Sequence, residues 1–286
     1  KIAEFEVVGI GNPWKNWLLV SLTTDSGLVG YGEGTLNGFE QAVRTLLETL
    51  SGSFLGRNPH EIKSIRNDML MERYSDGGQI QRAAIAAIEV ACWDILGKEM
   101  GQPVHNLWGG AVRDSIRLYA NGWYQTERDP ELVVAKAKEA VELGYTALKI
   151  DPFGAARRGL TLEDHDAAID ILTGIKRALP NTDLLVEGHC RFDVPTALGL
   201  AKTLGDIGVG WFEEPVSYEN LRGLAEVADR SPVPIATGEN FTSVSQFIEL
   251  TKRSHNFVLQ PDVLNLGGLL AARQVCELGE TLDLPV

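Results

Sequence analysis

The sequence lacks most of what marks a secreted, membrane-bound or polyanion-binding protein. Cysteine is scarce: Cys92, Cys190 and Cys276 are odd in number, far apart and form no Cys-x-x-Cys. That argues against a disulfide framework or a zinc site and for a reducing compartment. No apolar run approaches the roughly 20 residues of a membrane span, and Lys1 to Val8 offers no cationic segment ahead of an apolar stretch. A cytoplasmic location is therefore expected. Basic clusters are missing too, with 26 Lys and Arg against 39 Asp and Glu and a net charge of −13. A field of that sign repels nucleic acid and anionic bilayers, and neither is expected as a partner.

What is present suits a barrel with a smaller companion: 286 residues, 44% hydrophobic and 23% charged. The first third reads as α+β. Strands are predicted at residues 2–10 and 17–24, across Gly11-Asn12-Pro13, and a second turn at Gly27 precedes Val29-Gly30-Tyr31-Gly32. Helical spacing follows at 39–50, 59–71 and 79–97, the second opening on Asn58 as N-cap and Pro59 as first helical residue. The boundary is expected after residue 112.

From residue 113 short apolar strands alternate with amphipathic helices, the pattern of parallel βα units. Strands are predicted near 118–120, 147–150, 184–186, 210–212, 234–236 and 257–259, with the start of a seventh at 283–286. A closed barrel has about eight units, so the barrel in this chain is expected to be incomplete at its C-terminal end.

Chemistry in such a barrel sits at the carboxyl ends of the strands. Glu187 follows Leu184-Leu185-Val186, Glu213 follows Trp211-Phe212, and Glu239 follows Ile235-Ala236-Thr237-Gly238, at equal intervals of 26 residues. Any one of them alone reads more readily as an ordinary strand-end acid that caps the following helix or pairs with a surface Lys. Together they would aim three carboxylates into one mouth and raise one another's pKa unless a cation sat between them. Hard oxygen donors without His or Cys at ligand spacing suit Mg²⁺. Three glutamates and one such ion leave a local charge of about −1, so a further cation is needed to receive an anionic substrate. Lys149, at the end of the second strand, is placed for that role, or for pairing with Asp151 or Glu187.

These motifs are Ala147-Leu148-Lys149-Ile150-Asp151, Glu187-Gly188-His189, Trp211-Phe212-Glu213-Glu214-Pro215, Ala236-Thr237-Gly238-Glu239 and Gln260-Pro261-Asp262. Through them the chain resembles the enolase superfamily, within it the mandelate racemase-like acid-sugar dehydratases. The resemblance implies an N-terminal α+β capping domain before a (β/α)7β-type barrel, and a Mg²⁺ ion on Glu187, Glu213 and Glu239. It implies abstraction of the proton α to a carboxylate and dehydration of an aldonate or aldarate to a 2-keto-3-deoxy acid. The partners implied are a small-molecule carboxylate substrate and further copies of the chain in a homo-oligomer.

By the same resemblance His189 is the general acid for the departing hydroxyl, which suits an imidazole near its working pKa. On an extended strand end it would point to the side of Glu187. Asp262 would hold a base His expected beyond residue 286. Substrate contacts would come from loops at 11–16, with Trp14 and Lys15, and 74–79, with Tyr119, Asn121 and Trp123 as further candidates. Two departures matter. Asp151 stands where the racemases carry a second Lys, and Glu187 is longer by a methylene, about 1.5 Å, than the Asp of many relatives. A racemase or epimerase of a 2-hydroxy acid is the rival on the same scaffold, and a catalytically silent barrel is the second.

Overall fold

In a computed structural model describing residues 1–12, 15–71 and 74–286, alternating apolar residues build the first sheet. Strands β1 (Ile2–Gly11), β2 (Asn16–Thr24) and β3 (Val29–Glu33) pair antiparallel in that order, with Val7 opposite Val20 and Ser21 opposite Tyr31. Leu18, Val20 and Leu22 of β2 share one face and are buried. Helices α1 (Glu40–Thr49), α2 (Ile62–Met71), α3 (Gly78–Met100) and the short α4 (Val104–Leu107) follow.

Helix α3 is apolar on most sides, with Ala83, Ala84, Ile85, Ala86, Ala87, Ile88 and Ala91 buried. Its approach to β3 explains the two glycines of that strand. A Cβ on Gly32 would lie 1.9 Å from the carbonyl oxygen of Ala87, and one on Gly30 2.2 Å from that of Ala91. Helix and strand backbones touch here, and no side chain fits between them. Cys92 lies on the same helix, its thiol pushed up to about 12 by burial.

Asn58 differs from expectation. The helix begins at Ile62, because Asn58 closes a local turn: its Oδ1 accepts from His60 N at 3.1 Å and its carbonyl from Glu61 N at 3.0 Å. An Asn before Pro serves such a turn as readily as a cap.

The second half supplies five parallel strands in sequential order: β4 (Ala147–Ile150), β5 (Asp183–Glu187), β6 (Phe212–Glu213), β7 (Ile235–Thr237) and β8 (Phe257–Leu259). The helices between and around them are α5 (Pro130–Glu142), α6 (Leu162–Ala178), α7 (Val194–Ile207), α8 (Leu221–Arg230), α9 (Val244–Thr251) and α10 (Leu269–Leu282). Helices α5 to α8 each open on a side-chain cap, Asp129, Thr161, Asp193 and Asn220, which satisfies amide groups left over in the first turn. The strand expected at 118–120 is reduced to one bridge, Ala120 to Leu148. The expected seventh strand is not formed at 283–286, although Pro285 O accepts from Leu259 N at 2.9 Å.

By contacts the chain divides into two compact units. One holds residues 1–114, 239–246 and 261–278; the other holds 115–238, 247–260 and 279–286. No described helix is long and apolar enough to cross a membrane.

The α3–β3 contact is testable. Gly32→Ala forces backbone apart and should lower stability by about 1–3 kcal/mol, read as a fall in Tm. Gly52→Ala, which meets nothing within 4 Å, serves as control. Equal Tm values for the two variants would contradict the account.

Candidate functional site

The second unit places three charged side chains at the carboxyl ends of adjacent parallel strands. In the register Glu187 pairs with Glu213, and Lys149 pairs with Leu185, two residues before Glu187. With a side-chain period of two, all three lie on one face of the sheet. All are buried, Lys149 at 6%, Glu187 at 3% and Glu213 at 2% exposure.

Lys149 Nζ donates to Glu187 Oε2 at 3.0 Å and also to Glu213 Oε1. The other Glu213 oxygen accepts from Trp211 Nε1 at 3.0 Å and Gln260 Nε2 at 3.1 Å. Burial, then the charge of Glu187, pushes the Glu213 carboxyl up to about 7 despite the lysine. Burial disfavours the Lys149 charge, but the two carboxylates outweigh it and hold its pKa above the usual lysine value. Tyr119 sets its ring 5.6 Å from Nζ, and Trp123 Nε1 donates to the Lys149 carbonyl at 2.9 Å. Of the two roles open to Lys149 in the sequence, pairing with Glu187 is what the structure displays.

His189 departs from the geometry expected of an extended strand. Strand β5 ends at Glu187, and His189 and Cys190 both take left-handed backbone angles, φ 48° and 57°. The turn folds the chain back, so His189 N donates to Glu187 Oε1 at 2.8 Å. Its ring reaches Asp151: Nδ1 lies 2.7 Å from Asp151 Oδ2. Asp151 also accepts from Phe153 N at 3.0 Å and pairs with the Arg191 guanidinium. Burial opposes the Asp151 charge, yet the His189 and Arg191 contacts hold its carboxyl below the usual range. It therefore accepts the Nδ1 proton, leaving His189 Nε2 as the working nitrogen. The Asp151 bond raises the His189 pKa, against burial and with help from the Glu187 charge. The side chain stays 54% exposed.

Sequence reasoning left Asp151 as a mere departure and did not single out Arg191. No local spacing marks them, because both lie beyond the regular strands, β4 ending at Ile150 and β5 at Glu187 with left-handed angles after it.

Glu239 and Asp262 belong to the first unit. There they line a polar cavity of about 300 Å³, together with Lys15, Glu33, Gln79 and Asn240. Glu239 Oε1 accepts from Asn240 Nδ2 at 3.3 Å, and its carbonyl from Asn265 Nδ2 at 2.7 Å. Asp262 Oδ1 accepts from Leu264 N at 2.8 Å and Asn265 N at 2.9 Å, which fixes the carboxylate on its own turn. Pro13 and Trp14 of the first expected substrate loop lie outside the described residues.

Among the described residues no group of three or more His, Cys, Asp or Glu is arranged to hold a metal ion. The donor chemistry of the Glu187–Glu213 pair nonetheless fits a hard cation. Two buried carboxylates stand side by side, one pushed up toward neutrality, and all four oxygens are donors of the type Mg²⁺ takes.

The comparisons agree with this architecture. Residues 13–109 match the mandelate racemase / muconate lactonizing enzyme N-terminal domain, and residues 132–286 match the enolase C-terminal domain-like family. A D-gluconate dehydratase of Thermoproteus tenax is 33% identical over 280 residues, covering 96% of this chain and 56% of that protein. A D-gluconate/D-galactonate dehydratase of Picrophilus torridus is 31% identical over 273 residues, covering 94% and 70%. The chain thus spans little more than half of the first relative's length. A crystal structure of an enolase superfamily member from Salmonella Typhimurium superposes with a TM-score of 0.91 at 27% identity, covering 99% of this chain and 79% of that one. The chain belongs to the enolase superfamily, with the domain pair of the mandelate racemase / muconate lactonizing enzymes.

Proposed function

We propose that the chain belongs to a hydro-lyase that dehydrates a sugar acid, an aldonate or aldarate, to a 2-keto-3-deoxy acid. The observation that carries this reading is His189: a half-exposed imidazole with its Nδ1 on Asp151, on a residue whose backbone N–H donates to Glu187. A proton donor is thereby held next to buried carboxylates suited to a cation, the combination that eliminating a β-hydroxyl requires. The relatives named D-gluconate and D-galactonate dehydratases support the substrate class.

The residues assigned to the ion are Glu187 and Glu213, with Glu239 the third ligand that the family resemblance suggests. A bound Mg²⁺ supplies the fixed positive charge that makes a proton α to a carboxylate acidic enough to remove. Lys149, once relieved of pairing both glutamates, is the chain's own cation for the substrate carboxylate. Asp262, its Oδ1 held by two amides, offers a rigid carboxylate for orienting a base. His189, charged at neutral pH more readily than a free imidazole, donates from Nε2 to the leaving 3-hydroxyl. Asp151 then carries the imidazole's remaining N–H and keeps it from turning. Because Asp151 is committed to His189 and Arg191, it has no part in a second-face proton transfer, which counts against the racemase alternative.

Two outcomes are expected. A screen of aldonic and aldaric acids should yield keto acid, the yield should vanish with EDTA and return with Mg²⁺, and Glu213→Gln should abolish it. Turnover untouched by both EDTA and the substitution would overturn the proposal. In D₂O, His189→Asn should cut dehydration by about 10²–10⁴-fold while C2 deuterium exchange continues. Equal loss of both steps would remove His189 from the role of acid.

A further inference from the structure

One buried ionisable side chain at the strand ends has no part in the reaction as drawn. Glu214 is 0% exposed, and burying a carboxylate in protein is costly unless it is fully hydrogen-bonded. Three donors converge on it from the two flanking strand ends. Oε2 accepts from Cys190 Sγ at 2.9 Å, beyond β5, and Oε1 accepts from Thr237 Oγ1 and Gly238 N, each at 2.8 Å, at the end of β7.

The backbone repeats the same bridging. Cys190 N donates to Glu214 O at 2.7 Å, and Glu214 N donates to Ala236 O at 2.9 Å. These contacts hold an irregular stretch in which His189, Cys190 and Glu214, none of them glycine, take positive φ of 48°, 57° and 40°. Such angles carry a conformational cost that surrounding contacts must offset. Gly188 permits the close approach, since a Cβ there would lie 2.9 Å from Glu214 O. An apolar side chain would fill the same space at less desolvation cost but could not receive three hydrogen bonds.

We propose that Glu214 is a positioning residue: its carboxylate clamps the His189–Cys190 turn and the Thr237–Gly238 strand end to β6, and thereby aims the His189 imidazole. The clamp acts through backbone. It fixes the left-handed turn in which His189 N meets Glu187 and His189 Nδ1 meets Asp151. Glu214 itself touches no reacting atom. The inference rests on the reading of His189 as the acid, but the orientation of the ring is measurable without turnover.

The test is Glu214→Gln. An amide has one acceptor oxygen and one donor nitrogen, so at least one of the three donors then faces another donor. In the folded variant the ring signals of His189 in ¹H–¹⁵N NMR, assigned by their loss in His189→Asn, should shift while those of the other four histidines stay. On a sugar acid that the protein dehydrates, kcat should fall about 10- to 100-fold with KM within about twofold. Wild-type His189 signals and wild-type kcat in that variant would overturn the proposal. If Glu214→Gln does not fold, Cys190→Ala decides. Loss of that one contact should still shift the His189 signals, and an unmoved ring would overturn the clamp. A shifted ring in a protein that dehydrates no sugar acid would sink the dehydratase reading and leave the clamp standing.

Discussion

Two buried carboxylates held side by side are the constraint on which the rest of this site depends. Parallel pairing sets Glu187 opposite Glu213 and leaves their oxygens no choice but to share a small, buried space. Left alone they would repel, and one would take up a proton, a tendency visible in the upward push on Glu213. Lys149 answers part of that demand from the next strand, while Trp211 and Gln260 each donate to the same glutamate. One ammonium and two further donors gathered around two buried carboxylates show how much positive charge and hydrogen bonding this strand end demands.

A second arrangement grows from the first. The turn after β5 returns to the Glu187 carboxylate through the backbone N–H of His189, so the position of that residue is defined relative to the pair. Asp151, itself paired with Arg191, fixes the ring from the β4 side, and Glu214 fixes the turn from the β6 side. The imidazole is thus the exposed end of a framework whose other members are mostly buried. A buried frame behind one accessible side chain gives that side chain a fixed orientation.

Much of this could be read from the chain alone. Apolar strand cores at regular intervals marked all five strands of the parallel sheet, and residues just past them marked Glu187 and Glu213, because side-chain period and burial are local properties. What could not be read depends on backbone that departs from regular structure. An extended continuation past Glu187 put His189 on the right side for the wrong reason; left-handed angles, invisible in a run of Gly-His-Cys, bring it there. Asp151 reads as the loss of a lysine until its partners His189 and Arg191 are seen 38 and 40 residues away. Asn58-Pro59 carries a helix-start pattern that the chain uses for a turn. The stretch at 118–120 is apolar enough for a strand yet makes only a single bridge.

The central claim is that the Glu187–Glu213 pair is a cation site, and binding tests it most directly. Titration with Mg²⁺ by calorimetry, with Mn²⁺ resonance as a second readout, should find one strong site per chain in the wild-type protein. Glu187→Gln and Glu213→Gln should each weaken it by an order of magnitude or more. Wild-type affinity in both variants, with the fold intact, would contradict the account.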